Sequence, residues 1–302
     1  MDAQPRNTHI ESPQHRPPYD MDCPMLQIAT GCSHGKCHFC DIFTGVLFSP
    51  APPEEVAADI EEIARTATAL TRRIYLTGGN PFALPTPRLV EVFDAVEARI
   101  PTVNSYGGFC RIMDVARKSD SELAQLAARG VDRITIGAES GFDEALSFME
   151  KGHTAADVVE QGQRLRKAGI RFTFFYLAGM AGAGRGQENA KASARVFSEA
   201  GPDYILVVTL TPTKTWPLAR DIAAGTWQPA GEVETAREIR TFIEHLTCPC
   251  TVNCSHDTDI LRFEGTVPYN QDKMLELMDN LIPKMSEKAS RRMREMIHKA
   301  TF

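Results

Sequence analysis

Short apolar runs alternate with longer stretches of helical periodicity between residues 25 and 209. The first run, MLQIAT at 25–30, ends at Gly31 and has the pattern of a buried strand. In 53–68 the apolar residues Val56, Ala57, Ile60, Ile63 and Ala64 recur at helical spacing, with prolines ahead of them and paired glutamates toward water. That pattern predicts an amphipathic helix, and RIYL at 73–76 behind it predicts a second strand. The alternation repeats through a helix at 87–99, a strand at 102–105, a helix at 119–129 and a strand at 133–137. It continues with a helix at 154–168, a strand at 171–177, a helix at 187–199 and a strand at 204–209. Six strands alternating with helices predict an α/β chain with a parallel sheet and right-handed crossovers, closing into a partial (βα)6, TIM-like barrel. Ligands of such sheets gather at the carboxyl ends of the strands, and the chemically suggestive segments below are all expected there.

After residue 209 the period changes to TLTPTKTWPLARDI, then a helix at 233–245, a cysteine-containing stretch and two terminal helices. This predicts a mainly helical C-terminal extension at 213–302 that caps the mouth of a barrel core at 23–212. Residues 1–22, polar and proline-rich, predict a flexible N-terminal arm.

With 302 residues, 43% hydrophobic and 24% charged, the chain is long enough to bury a large core. A formal net charge of -6 provides no global positive field to gather nucleic acid or an anionic membrane, so neither partner is expected. The N-terminus has no apolar core of a signal peptide, and no apolar run approaches about twenty residues. A cytoplasmic protein is therefore expected. In that compartment eight cysteines read as metal ligands, catalytic thiols or buried small hydrophobes rather than as a disulfide framework.

The segment GCSHGKCHFCD, at 31–41, places Cys32, Cys37 and Cys40 within nine positions, with His34 and His38 between them. Three thiolates supply three corners of an iron-sulfur cube and leave one iron open, or they close a zinc site together with a histidine. A structural zinc site usually staples a small module too poor in core to fold alone, whereas this loop belongs to a large βα domain.

The cysteine loop after the first strand, Phe39 just before its last cysteine, and the TGGN at the end of the second strand resemble the radical S-adenosylmethionine (SAM) enzymes. The resemblance covers roughly the first 210 residues, and the loop is its most specific part. The usual spacing there is C-x3-C-x2-C; here the first gap is one residue longer, C-x4-C-x2-C. The resemblance implies a 4Fe-4S cluster on Cys32, Cys37 and Cys40, with the amino and carboxylate groups of SAM on the open iron. It also implies reductive cleavage of SAM to a 5′-deoxyadenosyl radical that abstracts hydrogen from a substrate. Gly78 and Gly79 would let the backbone approach SAM and accept from its ammonium, while Asn80 stands where the family often has a glutamate. Glu139 and Ser140, in GAESG at 137–141, are candidates for the ribose hydroxyls or the methionyl carboxylate.

Ser105 and Arg111 follow the predicted third strand and would face the same mouth, where an arginine suits a carboxylate; a capping serine and a surface arginine are the alternative. LAGMAGAG at 177–184 resembles the stretch near adenine in these enzymes, or is a loop without ligand. Cys248, Cys250 and Cys254, with His256 close behind, form a second group. It reads as a substrate or second metal site, or as a buried strand carrying small apolar cysteines. Cys23 and Cys110 are isolated and read as structural, and the basic SRRMREMIHK as a solvated helix face.

The expectation is a radical SAM enzyme acting on a small-molecule substrate, with an electron donor such as flavodoxin or ferredoxin as partner. Two alternatives stand beside it: aminocarboxypropyl transfer from SAM to a thiophilic acceptor held by the C-terminal cysteines, and a zinc-binding scaffold or regulatory protein.

Overall fold

A computed structural model describes residues 16–301 of the protein. Most of the predicted arm, residues 1–15, lies outside the described residues. The strands are β1 (Met25–Gln27), β2 (Ala29–Thr30), β3 (Ser49–Pro50), β4 (Arg73–Thr77), β5 (Ser105–Cys110) and β6 (Arg133–Glu139), then β7 (Arg171–Ala178), β8 (Tyr204–Thr209), β9 (Cys250–Cys254) and β10 (Phe263–Val267). The helices are α1 (Pro53–Thr66), α2 (Thr86–Arg99), α3 (Ile112–Ala116), α4 (Asp120–Ala128), α5 (Asp143–Phe148) and α6 (Ala155–Ala168), then α7 (Gly186–Ala200), α8 (Leu218–Ala224), α9 (Glu232–His245), α10 (Gln271–Leu281) and α11 (Glu287–Thr301). Eight strands follow the order β1-β4-β5-β6-β7-β8-β9-β10, parallel except for the antiparallel β9/β10 pair. The fold is thus α/β with a mainly parallel sheet and a mainly helical C-terminal part, as the alternation of apolar runs predicts.

Two compact units divide the described residues: those within 16–35, 42–136 and 165–171 form the first, and those within 36–41, 137–164 and 172–301 the second. In the first, β1 pairs with β4 in the register Met25↔Tyr75, β4 with β5 as Arg73↔Ser105, and β5 with the start of β6 as Phe109↔Thr135. Helix α1 begins on Pro53, with Glu54 and Glu55 favourable at its amino end, and buries Val56, Ile60 and Ile63. In the second, β7 pairs with β8 as Thr173↔Tyr204 and β8 with β9 as Tyr204↔Thr251. Its aromatic core stacks Tyr176 on Phe242 with centroids 4.0 Å apart and sets Phe197 edge-on to both.

Three differences from the predicted elements have physical causes. The third parallel strand runs over Ser105–Cys110 rather than 102–105, because its middle is glycine, which carries no apolar signal. A Cβ at Gly108 would stand 2.7 Å from the Leu76 carbonyl oxygen, so the close approach of β4 and β5 depends on that glycine. The first run divides at Ile28, with β1 joining the large sheet and β2 pairing antiparallel with β3. Beyond residue 209, β9 and β10 extend the sheet past the six predicted strands.

Candidate functional site

The candidate residues fall into two groups, one in each unit. In the first, the carboxyl end of β4 carries Gly78, Gly79 and Asn80. The Gly79 amide donates to the Gly31 carbonyl at 3.0 Å, and a Cβ on Gly79 would come 2.1 Å from that oxygen and 2.9 Å from Cys32 Cα. No side chain fits there, so the glycine brings the strand end onto the backbone of the first cysteine. Asn80, 1% exposed, finishes the clamp: its Oδ1 accepts from the Ser33 amide at 2.9 Å and its Nδ2 donates to Ser33 Oγ at 2.6 Å. The same Nδ2 donates to Asp114 Oδ2 at 2.7 Å, an oxygen that also accepts the Arg111 amide at 2.9 Å. Asp114 Oδ1 is buried with no hydrogen-bond partner among the described residues. Arg111, also buried, lies at the carboxyl end of β5 with its Nη1 3.5 Å from Ser33 Oγ.

Ser105 is a correction. Because β5 begins at this residue, Ser105 lies at the amino end of the strand, opposite the ligand edge. There it donates to Asp132 Oδ1 at 2.8 Å and accepts from Arg73 at 2.6 Å, in a cluster where Arg73 also pairs with the buried Asp20 at 2.6 Å. Residues 18–20, the end of the predicted arm, are thereby pinned to β4.

In the second unit the rest of the cysteine loop is held by its backbone and by one ring. The His38 amide donates to the Met149 carbonyl at 3.1 Å and the His38 carbonyl accepts from the Leu218 amide at 2.9 Å. Asp41 accepts from the Trp216 indole at 3.0 Å. Phe39 packs on the apolar cluster of Leu146, Met149, Leu177, Met180 and Leu218, with the Lys151 ammonium 5.5 Å from its ring centroid. Lys151 also pairs at 3.1 Å with Glu139, which ends β6 at φ 66°, a left-handed conformation uncommon outside glycine. The neighbouring Ser140 is fully buried and its hydroxyl is committed: it donates to Asn189 Oδ1 at 2.5 Å and accepts from the Phe142 amide at 2.9 Å.

Residues 26–182, more than half of the chain, match the family described as the radical SAM superfamily. The chain belongs to the radical SAM superfamily. Its cofactors are a 4Fe-4S cluster and S-adenosylmethionine. The residues in place fit them: three partly exposed thiols on one loop, a glycine cradle against the first, and a buried carboxylate oxygen left unpartnered beside it. The heme chaperone HemW of Lactococcus lactis subsp. lactis (strain IL1403) is 29% identical over 140 residues, 46% of this chain and 36% of that one. The chain spans little more than a third of the length of the first curated relatives it matches. Among solved structures, methylornithine synthase (PylB) aligns with a TM-score of 0.53 at 17% identity, covering 85% of this chain and 81% of that one. The radical SAM methyltransferase TsrM of Kitasatospora setae, with cobalamin and a [4Fe-4S] cluster bound, aligns at 0.53 and 18%, covering 67% and 39%. These likenesses carry the fold.

The C-terminal cysteines of this radical SAM protein do not form one site. Cys250 and Cys254 are the two ends of β9, about 13 Å apart at the rise of a strand. Cys248 and Cys250 share a side-chain hydrogen bond at the amino end, and that contact together with burial pushes the Cys250 thiol far up. Cys254, fully buried, is pushed up by burial and by Asp259. His256 stands at the other end, its Nδ1 accepting from the Thr258 amide at 3.2 Å and its own amide donating to Asp259 at 3.2 Å. Asp259 also accepts from the Thr209 hydroxyl at 2.8 Å, and burial raises its carboxyl to about 7. Among the described residues no three His, Cys, Asp or Glu side chains surround a point as the ligands of a single metal ion do. The C-terminal cysteines thus offer no single acceptor site.

The pattern of the sequence does not expose Asp114, Lys151 or Glu238. Asp114 has one local signal, its place three residues after Arg111 at a helix start. Glu238 has another, an acid in line with Phe242 on the apolar stripe of α9.

Proposed function

We propose that the protein is an enzyme that binds a 4Fe-4S cluster through Cys32, Cys37 and Cys40 and cleaves SAM reductively to act on a small-molecule substrate. A 4Fe-4S cluster with SAM on its open iron supplies, once reduced, the electron that breaks SAM into methionine and a 5′-deoxyadenosyl radical. The observation that carries this reading is the clamp of Gly79 and Asn80 on Gly31, Cys32 and Ser33, which orders the first thiol on a strand end.

In this reading the carbonyls of Gly78 and Gly79 and the free Oδ1 of Asp114 accept from the amino group of SAM. Asp114 thereby provides the carboxylate that Asn80 lacks, while the Asn80 amide shapes the cysteine loop. Arg111 offers its fork to the methionyl carboxylate. Glu139, steered by Lys151, contacts the ribose hydroxyls, and Ser140 builds the turn that presents it. Phe39 shields the last cysteine from water. Residues 23–212 act as the cofactor-bearing core and 213–302 as the part that shapes the substrate pocket. A flavodoxin- or ferredoxin-type donor supplies the electron, in the cytoplasm; among the described residues no helix is long and apolar enough to cross a membrane.

The test is anaerobic iron and sulfide analysis with EPR of the reduced protein, with and without SAM, on the wild type and on Cys37→Ala. About four irons, a spectrum perturbed by SAM and loss of both in the variant are expected. Zinc without iron would overturn the proposal.

A further inference from the structure

Helix α9 belongs to the segment expected to cap the barrel, yet its buried acid Glu238 is bonded to the turn that follows β7 and, through Asn189, linked to the turn that follows β6. Oε1 accepts from the Tyr176 hydroxyl and from Asn189 Nδ2, both at 2.7 Å, and Oε2 accepts from the Gly179 amide at 3.0 Å. Asn189 carries the connection onward, because its Oδ1 accepts the Ser140 hydroxyl and Ser140 in turn accepts the Phe142 amide. Ser193, on the same helix, accepts the Gly141 amide at 2.8 Å. Space for the carboxylate is made by Gly186, where a Cβ would stand 2.9 Å from Oε2. One side chain on α9 therefore meets Gly179 directly and the Glu139-to-Gly141 turn through a single intermediary.

We propose that Glu238 is a positioning residue for S-adenosylmethionine, holding the turns after β6 and β7 in one arrangement through Asn189, Ser140 and Gly179. The inference rests on the reading of those turns as SAM contacts. All three partners of the carboxylate donate to it, so the ionised form is the one they hold. Burial opposes that form and raises the carboxyl to about 7, which places the change of state near neutrality. The titratable groups acting on it are Tyr176 on β7, pushed far up by burial and by Glu238 itself, and Glu234 on the same helix; α7 faces it with Asn189 and Gly186, and the loop after β7 with the Gly179 backbone. Above neutrality the turns are held and SAM binds more tightly. Below it, the protonated acid loses acceptor capacity toward Gly179 and Asn189, and binding weakens.

The experiment measures SAM affinity of the cluster-loaded protein at about pH 6 and about pH 8, and amide exchange at Gly179 without SAM. The wild type is expected to bind at least about fivefold more tightly at the higher pH, and Glu238→Gln to lose that difference. Glu238→Gln should also show faster exchange at Gly179 after correction for intrinsic rates. Tyr176→Phe should keep the pH dependence with its midpoint moved up, since a donor favouring the charged form is gone. Asp259→Asn should leave the dependence as in the wild type. The same pH dependence in wild type and Glu238→Gln, or unchanged Gly179 exchange, overturns the inference. If Glu238→Gln does not fold, an unmoved midpoint in Tyr176→Phe overturns it instead. A wild type without SAM affinity at either pH overturns the proposed function and this inference with it, whereas retained affinity with unaltered pH dependence overturns this inference alone.

Discussion

Asn80 shows how one atom's neighbours decide which residue a site accepts. Its Nδ2 donates to Asp114 Oδ2 at 2.7 Å, so an acid at position 80 would set two carboxylates against each other in a buried place. Asn80→Asp is therefore expected to cost on the order of 1–3 kcal/mol near neutral pH, through a lost donor and like-charge repulsion. The loss should shrink as the pH falls far enough to protonate one of the pair, which urea unfolding at two pH values measures. Residues whose chemistry is carried by type in a contiguous stretch were legible in the sequence: the three cysteines, the two glycines and the amide of TGGN. Asp114 was not, because its relation to Asn80 exists only once the ends of two strands are side by side.

At the scale of the element, strand direction and length decide which residues can meet. β9 runs parallel to β8, which sends Cys250 and Cys254 to opposite edges and leaves only Cys254, His256 and Asp259 at the carboxyl end. The Cys248→Ser, Cys250→Ser double variant is accordingly expected to hold the same iron per chain as the wild type, while Cys37→Ala loses it; iron analysis on anaerobic preparations decides. The longer helices and most parallel strands were legible from apolar periodicity, whereas the short α3, α5 and α8 were not. The strand at Ser105–Cys110 was not, since Gly107 and Gly108 interrupt the apolar signal at the place where backbones must come closest. That shift moved Ser105 to the far edge and kept Arg111 at the near one.

For the molecule as a whole, the buried acids set how stability responds to pH. Glu238 and Asp259 both have folded pKa values near 7, above their ordinary values of 4.5 and 3.8, chiefly because burial disfavours the charge. A raised folded pKa contributes stability that is full below the unfolded value and is lost as the pH climbs through the folded one. Asp132 runs the other way: burial pushes it up, but Arg73, Ser105 and Arg171 outweigh that and hold it low, so its contribution fades only as the pH falls through its depressed value. These groups place the stability maximum near pH 4, with stability falling between about pH 4 and 7 and levelling above that. Denaturant unfolding from about pH 4 to 8 should show stability declining toward about pH 7 and levelling beyond it in the wild type, with a shallower decline in Asp259→Asn; a flat wild-type profile would contradict the assignment. The sequence by itself determined the α/β alternation, the loop of three thiols and the glycine-rich strand end, since periodicity and ligand type are properties of neighbouring residues along the chain. The tertiary structure alone decided that Asn80 is bonded to the cysteine loop, that Asp114 has an acceptor to spare, that the C-terminal cysteines are divided and that Glu238 ties α9 to two turns. Those facts depend on which buried polar groups find partners across distant segments, and burial makes each pairing, or its absence, energetically decisive.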